Sequence, residues 1–214
     1  MMTKVKLLFV LILLNSVLVF AQDSRFGIKA GPNYSSVVGD LTEGLKFRFS
    51  GHVGVFMEFD LSYKLKFQPE LLYSSQGFQF SSDLSSIENP NSSVDQNDFR
   101  NDVQLNFITV PLLMKFGIND KLDAQVGPQF GFLINQITKT KNLNESNGAS
   151  NDRMVQNGNF QLDYGATLGL GYAISDKLSL SPRAYIGLRN RLNSLGGNLY
   201  NVNVALQLSI GYLF

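Results

Sequence analysis

The chain has 214 residues, no Cys, no Trp, a single His and a formal net charge of +1. That length suits one domain of moderate size. Without Cys there is no disulfide, thiolate metal site, Cys nucleophile or lipid-modified N-terminal Cys, and the near-zero charge offers no electrostatic footprint for nucleic acid.

The N-terminus reads first as an address. Lys4 and Lys6 precede the apolar run 7–20, and Val19 and Ala21 occupy the −3 and −1 positions of a cut before Gln22. A positive start, a short apolar stretch and small residues at the cut describe a secretory signal peptide. The expected division is therefore a signal peptide over 1–21 and one domain over 22–214. Cleavage removes two lysines and no carboxylate, so +1 − 2 gives a mature charge of −1. The run is shorter than the ~20 residues a membrane-spanning helix needs, and no later segment qualifies. Any passage through a membrane must then use strands.

Eight segments carry a strand signal: 25–34, 46–59, 64–80, 103–117, 121–137, 160–174, 178–191 and 200–214. The pattern is clearest in 160–174, where Leu162, Tyr164, Ala166, Leu168, Leu170, Tyr172 and Ile174 alternate with Gln161, Asp163, Gly165, Thr167, Gly169, Gly171 and Ala173. Successive side chains of a strand point to opposite faces, so one face is greasy and the other small and polar. Segment 105–117 breaks this alternation near Thr109–Pro111, where a bulge is expected because Pro cannot donate to a ladder.

The connections alternate too. Short ones follow the second, fourth and sixth segments; long polar ones cover 35–45, 81–102, 138–159 and 192–199. An even number of long strands with short turns on one side and long loops on the other is the plan of an outer-membrane barrel. The expected fold is all-β, an eight-stranded antiparallel up-and-down transmembrane β-barrel.

The competing plan is a soluble barrel with its greasy face inward and a charged exterior. Here the second face is Gly, Ser, Asn, Gln and Thr, and only 16% of residues are charged, against ~25% in ordinary soluble domains. The greasy face is therefore assigned to lipid. In the last strand Val202, Val204, Leu206, Leu208 and Ile210 are expected to meet acyl chains, with Tyr200, Tyr212 and Phe214 at the interfaces.

Several stretches in order resemble the Bacteroidetes outer-membrane β-barrel family related to PorT: RFGIKAGPNYS (25–35), LKFQPELLYSSQG (65–77), LNFITVPLLMKFG (105–117), then GPQFGFLI and PRAYIGLRN. The resemblance spans 22–214. It departs at Thr109, where the family usually carries Glu. It implies an eight-stranded barrel in the bacterial outer membrane, among outer-membrane lipids, and no single activity. The terminal Phe214 resembles the aromatic signal read by the barrel-assembly machinery. A PorT-like role would be that of an accessory in a secretion or envelope system, with an envelope protein meeting loops 81–102 and 138–159.

Charges on the inner face must be paired, because an unpaired buried charge costs several kcal/mol. The expected interior network is Arg48, His52, Glu58, Glu70, Asp163 and Arg183, with Lys29, Asp123 and Arg189 on or near the same face. Glu70 and Arg183 are the expected partners. His52 and Ser50 share a face, but their neighbours make no nucleophile motif. The sequence carries no phosphate loop, metal-ligand cluster or dinucleotide fingerprint, so no catalytic, cofactor or metal residue is assigned. The functional expectation is a non-enzymatic barrel with a structural or loop-mediated role. The alternatives are an envelope accessory and a small channel, although eight strands leave an interior that side chains can fill.

Overall fold

The computed structural model describes residues 24–82, 99–142, 151–191 and 199–214. The cut after Ala21 and the centres of the three longest connections lie outside the described residues. Eight strands follow in order: β1 Ser24–Gly39, β2 Lys46–Ser62, β3 Leu65–Ser82, β4 Phe99–Gly117, β5 Leu122–Asn142, β6 Asn151–Ala173, β7 Leu178–Gly187 and β8 Asn201–Leu213. Each pairs antiparallel with the next, and β1 pairs with β8, so the sheet closes into a barrel with no edge at its waist.

The turns 63–64, 118–121 and 174–177 gather with Ser24 and Leu213 at one end, and the long connections gather at the other. Asn119 caps its turn by accepting from the amides of Lys121 and Leu122 at 2.9 Å, and Ser175 does the same for Leu178 at 3.1 Å. Local Asx and Ser turns thus fix the tight end.

Period-2 alternation decides which face is inside. On β8, Leu206, Leu208 and Ile210 are exposed, while Ala205, Gln207 and Ser209 are buried. Val202 departs from the expectation of lipid contact. It continues the outward parity but is only 4% exposed, where Asn190 and the Arg191 amide bond both sides of its neighbour Asn201.

Other expectations change, beginning with the loop expected from 35, since β1 runs on to Gly39. The β4 ladder passes Thr109 and Pro111 without a shift of register. Its pairing to β3 skips Val110 and Pro111 and resumes as before, while Pro111 stays opposite Gln129 of β5. The missing donor costs a bond, not an offset. The shift lies instead at Asn106/Phe107, opposite one extra residue of β5.

The loop expected over 138–159 is mostly strand, since Ile137–Lys141 pair with Val155–Asn151. The β-branched Thr138 and Thr140 suit a ladder, and no greasy face is required of a segment in water. The β5–β6 shift at Leu133/Asn135 leaves residues 158–160 bulged, with Asn159 and Phe160 at φ near +50°. β7, by contrast, ends at Gly187, short of 191.

Candidate functional site

The candidate site is the lumen, because that is where the titratable side chains converge. The six expected residues fall into three clusters.

The first cluster fills the tight end and the waist. Arg25, Lys66 and Lys115 converge on Glu58; Lys66 Nζ is 3.1 Å and Lys115 Nζ 2.8 Å from its carboxylate, and Arg25 bonds it too. Lys115 Nζ also lies 3.5 Å from Asp123, which accepts from Gln125 at 2.7 Å. Gln125 accepts from Arg183 Nε at 2.8 Å, and Arg183 Nη1 reaches Glu70 at 2.8 Å. Glu70 also accepts from Lys29 at 2.8 Å and Gln68 at 2.6 Å. The chain of contacts therefore runs unbroken from Glu58 to Lys29.

Period 2 places each group: odd positions of β1, β4, β5 and β7 point inward, as do even positions of β2 and β3. Room for Arg183 comes from Gly169 on the neighbouring strand, where a Cβ would sit 2.6 Å from Arg183 Cγ.

The second cluster surrounds His52. Its Nδ1 lies 2.7 Å from Asn33 Oδ1 and its Nε2 2.8 Å from Ser209 Oγ. Asn33 donates to Ser74 and to the Ser75 carbonyl, so its Oδ1 faces the ring and Nδ1 carries the proton. Farther up, Arg48 holds Asp102 at 2.6 Å, together with Ser75 and Gln104. The third cluster is Asp163, which accepts from Tyr185 at 3.2 Å and Asn203 at 2.8 Å.

Ser209, His52 and Asn33 have the order of nucleophile, base and orienter. Their surroundings oppose catalysis. Asn33 is 0% and Ser209 1% exposed, and a tetrahedral intermediate needs open space beside the nucleophile. Ser50, the neighbour weighed from sequence, bonds the Ser75 carbonyl instead.

Two cavities flank the waist. One, of about 520 Å³, opens at the tight end and is lined by Glu58, Lys66, Lys115, Lys121 and Lys177. The other, of about 660 Å³, lies toward the long connections between Phe107 and Leu133 on one side and Arg189 and Arg191 on the other. Lys29 borders the first cavity, Glu70 and Arg183 line neither, and all three are buried.

Sequence reasoning missed Lys115, Gln125, Asn33 and Ser209. Lys115 was hidden by the broken alternation near Pro111. The partners of His52 come from β1 and β8, and only closure of the ring brings them together.

A family model for the outer membrane protein beta-barrel domain matches residues 20–193. No curated protein matches. Among solved structures, the chain resembles a major outer membrane protein from Thermus thermophilus, with 12% identity over 90% of this chain and 100% of that one, at a TM-score of 0.50. It also resembles Neisserial surface protein A, at 10% identity over 88% and 97% with a TM-score of 0.47. The attachment invasion locus protein of Yersinia pestis is similar at 12% identity over 90% and 100%, TM-score 0.45.

Proposed function

The chain belongs to the outer membrane protein beta-barrel domain family, and we propose that it serves the bacterial outer membrane as a non-enzymatic, sealed barrel that presents its long connections to the outside. One observation carries this reading: the ion-paired waist of Lys29, Glu70 and Arg183 fills the lumen between the two cavities. A filled eight-stranded barrel has no solute path.

The lipid face supports the same reading. Phe26, Tyr172, Tyr212 and Phe214 are exposed near the tight end, and Tyr34, Phe47 and Tyr164 toward the other. Phe26 stacks on Phe214 at 5.8 Å and Tyr34 on Phe47 at 4.7 Å. Phe26 and Tyr34 are separated by about 27 Å of strand, or about 20 Å along the normal at a tilt of ~40°. That approaches the ~25 Å apolar band of such barrels. Within it Leu208 and Ile210 contact lipid, with Leu206 at the Tyr34 level and Val204 beyond it, opposite Ser36. Removal of 1–21 after Ala21, and reading of Phe214 by the barrel-assembly machinery, belong to this proposal.

Heat-modifiable gel migration tests it. The mature chain refolded in detergent should shift on boiling, and Ile210→Arg should weaken the shift. Folding without detergent, with Arg tolerated at 210, would sink the membrane reading. The ordered motifs 25–35, 65–77 and 105–117 favour a second reading, a PorT-like envelope accessory of Bacteroidetes type. That reading requires a co-purifying envelope protein lost when 81–102 and 138–159 are replaced.

A further inference from the structure

We propose that two turns at the tight end each bind the headgroup of a zwitterionic phospholipid with a primary ammonium group, phosphatidylethanolamine by its chemistry, in the leaflet at that end. The inference rests on the outer-membrane reading above. Its first support is a repeat in the chain. Ile118-Asn119-Asp120-Lys121-Leu122, between β4 and β5, returns as Ile174-Ser175-Asp176-Lys177-Leu178, between β6 and β7. The copies fold alike. The amides of Ile118 and Ile174 each donate to the carbonyl of the closing Leu at 2.8 Å, and those of Asn119 and Ser175 donate to the same carbonyls at 3.2 and 3.1 Å. The Asn119 and Ser175 side chains accept in return from the Leu amides. The next strand then sets a tyrosine beside each Leu: Leu122 pairs with Tyr172, and Leu178 with Tyr212.

The second support is the charge. Asp120, Lys121, Asp176 and Lys177 are all exposed, and among the described residues none of them takes part in an ion pair. Each turn thus offers one free carboxylate beside one free ammonium group. A phosphate answers the lysine, and an ammonium that still carries N–H answers the aspartate. The third turn lacks this pair. Lys64 stands in it, but Asp60 is already held by Arg25 at 3.5 Å and Lys66 at 3.3 Å.

The third support is depth. Tyr172 and Tyr212 are exposed on the outward face at the tight end, where girdle aromatics mark the membrane interface. Lys121 and Lys177 stand one residue beyond that level, or about 3.4 Å of strand, among headgroups. Both turns border the first cavity, yet each also reaches the lipid side. An open groove of about 450 Å³ joins Asp120 and Lys121 to Leu122 and Tyr172, and Lys177 Nζ lies 5.9 Å over the Tyr212 ring.

The test uses the mature barrel in detergent micelles with equal amounts of phosphatidylethanolamine, phosphatidylcholine and phosphatidylglycerol of one acyl composition. Native mass spectrometry counts the retained lipids. Up to two phosphatidylethanolamine molecules should be retained, about threefold more often than phosphatidylcholine, as exposed charge pairs allow; the trimethylammonium of phosphatidylcholine donates no hydrogen bond to Asp. Asp120→Asn/Asp176→Asn should erase that preference, and Lys121→Gln/Lys177→Gln should weaken retention of all three lipids. Asp120→Asn/Lys121→Gln should remove one of the two molecules, and Lys64→Gln neither. Equal retention of phosphatidylethanolamine and phosphatidylcholine by the wild type, a preference that survives loss of both aspartates, retention unchanged without both lysines, or phosphatidylglycerol ahead of phosphatidylethanolamine would overturn the sites. Heat-modifiable migration of each sample separates the two readings. A shifted wild type without the preference sinks only the headgroup sites; a wild type without the shift sinks the barrel reading and the sites together.

Discussion

Arg183 on β7 and Glu70 on β3 meet at 2.8 Å although their strands lie four places apart around the ring. They touch across the lumen, and Lys29 of β1 shares the same carboxylate. Glu70→Leu therefore leaves two buried cations facing each other and should cost about 3–5 kcal/mol in urea unfolding from lipid vesicles. Converting all three to apolar residues (Lys29→Met, Glu70→Leu, Arg183→Met) should recover most of that loss. A Glu70→Leu barrel as stable as the wild type would show that the triad does not bear on stability.

The same waist should block current. In planar bilayers the wild type is expected to give no steady conductance. Trimming Lys29, Glu70 and Arg183 together to Ala should produce a measurable leak, because the waist lies between the two cavities. Steady open-channel current in the wild type would restore the small-channel alternative.

Depth should grade the lipid face. Ile210→Arg, opposite Ala30 and midway between the Phe26 and Tyr34 levels, should cost about 2–4 kcal/mol in vesicles, and Phe214→Arg beside Phe26 about 0–1 kcal/mol. Equal costs at the two positions would contradict the assigned band.

Much of this arrangement is legible in the sequence, for a definite reason. Where a strand divides lipid from a crowded lumen, both faces are constrained, and 160–174 and 200–214 spell out the alternation. Where a strand rises into water, neither face is. Ile137–Lys141 and Asn151–Val155 therefore read as a loop although they pair. The site shows the same division. Parity puts Glu70 and Arg183 on one face, but Asn33, His52 and Ser209 meet only through the β1–β2 and β1–β8 registers. A closed ring fixes those registers, and no local pattern encodes them. Val202 fails for a related reason, since parity gives a direction and not what covers the residue.

His52 should behave as structure. The wild-type barrel is expected to release no fatty acid from phospholipid, and His52→Ala should change nothing in that assay. The same variant should lose about 1–3 kcal/mol of stability, because Asn33 and Ser209 lose a buried partner. Lipid hydrolysis that disappears in both His52→Ala and Ser209→Ala would convert the buried triad into an active site and overturn the non-enzymatic reading.

Gly169 makes the last prediction. A Cβ there would meet Arg183 Cγ and the Pro182 carbonyl oxygen, each at 2.6 Å. The side chain of Arg183 could yield only by leaving Gln125 and Glu70, and the backbone oxygen belongs to the adjoining strand of the β6–β7 seam. That ladder runs only from Gly165 to Ala173 on β6 and has little pairing to spare. Gly169→Val should therefore sharply reduce the heat-modifiable fraction after refolding, with a loss of about 3 kcal/mol or more in whatever folds. Gly51→Ala is the control, since its Cβ would approach only the Gly31 carbonyl oxygen, at 3.3 Å, and its cost should stay within about 1 kcal/mol. If both variants refold alike, close packing at the β6–β7 seam does not limit closure of the barrel.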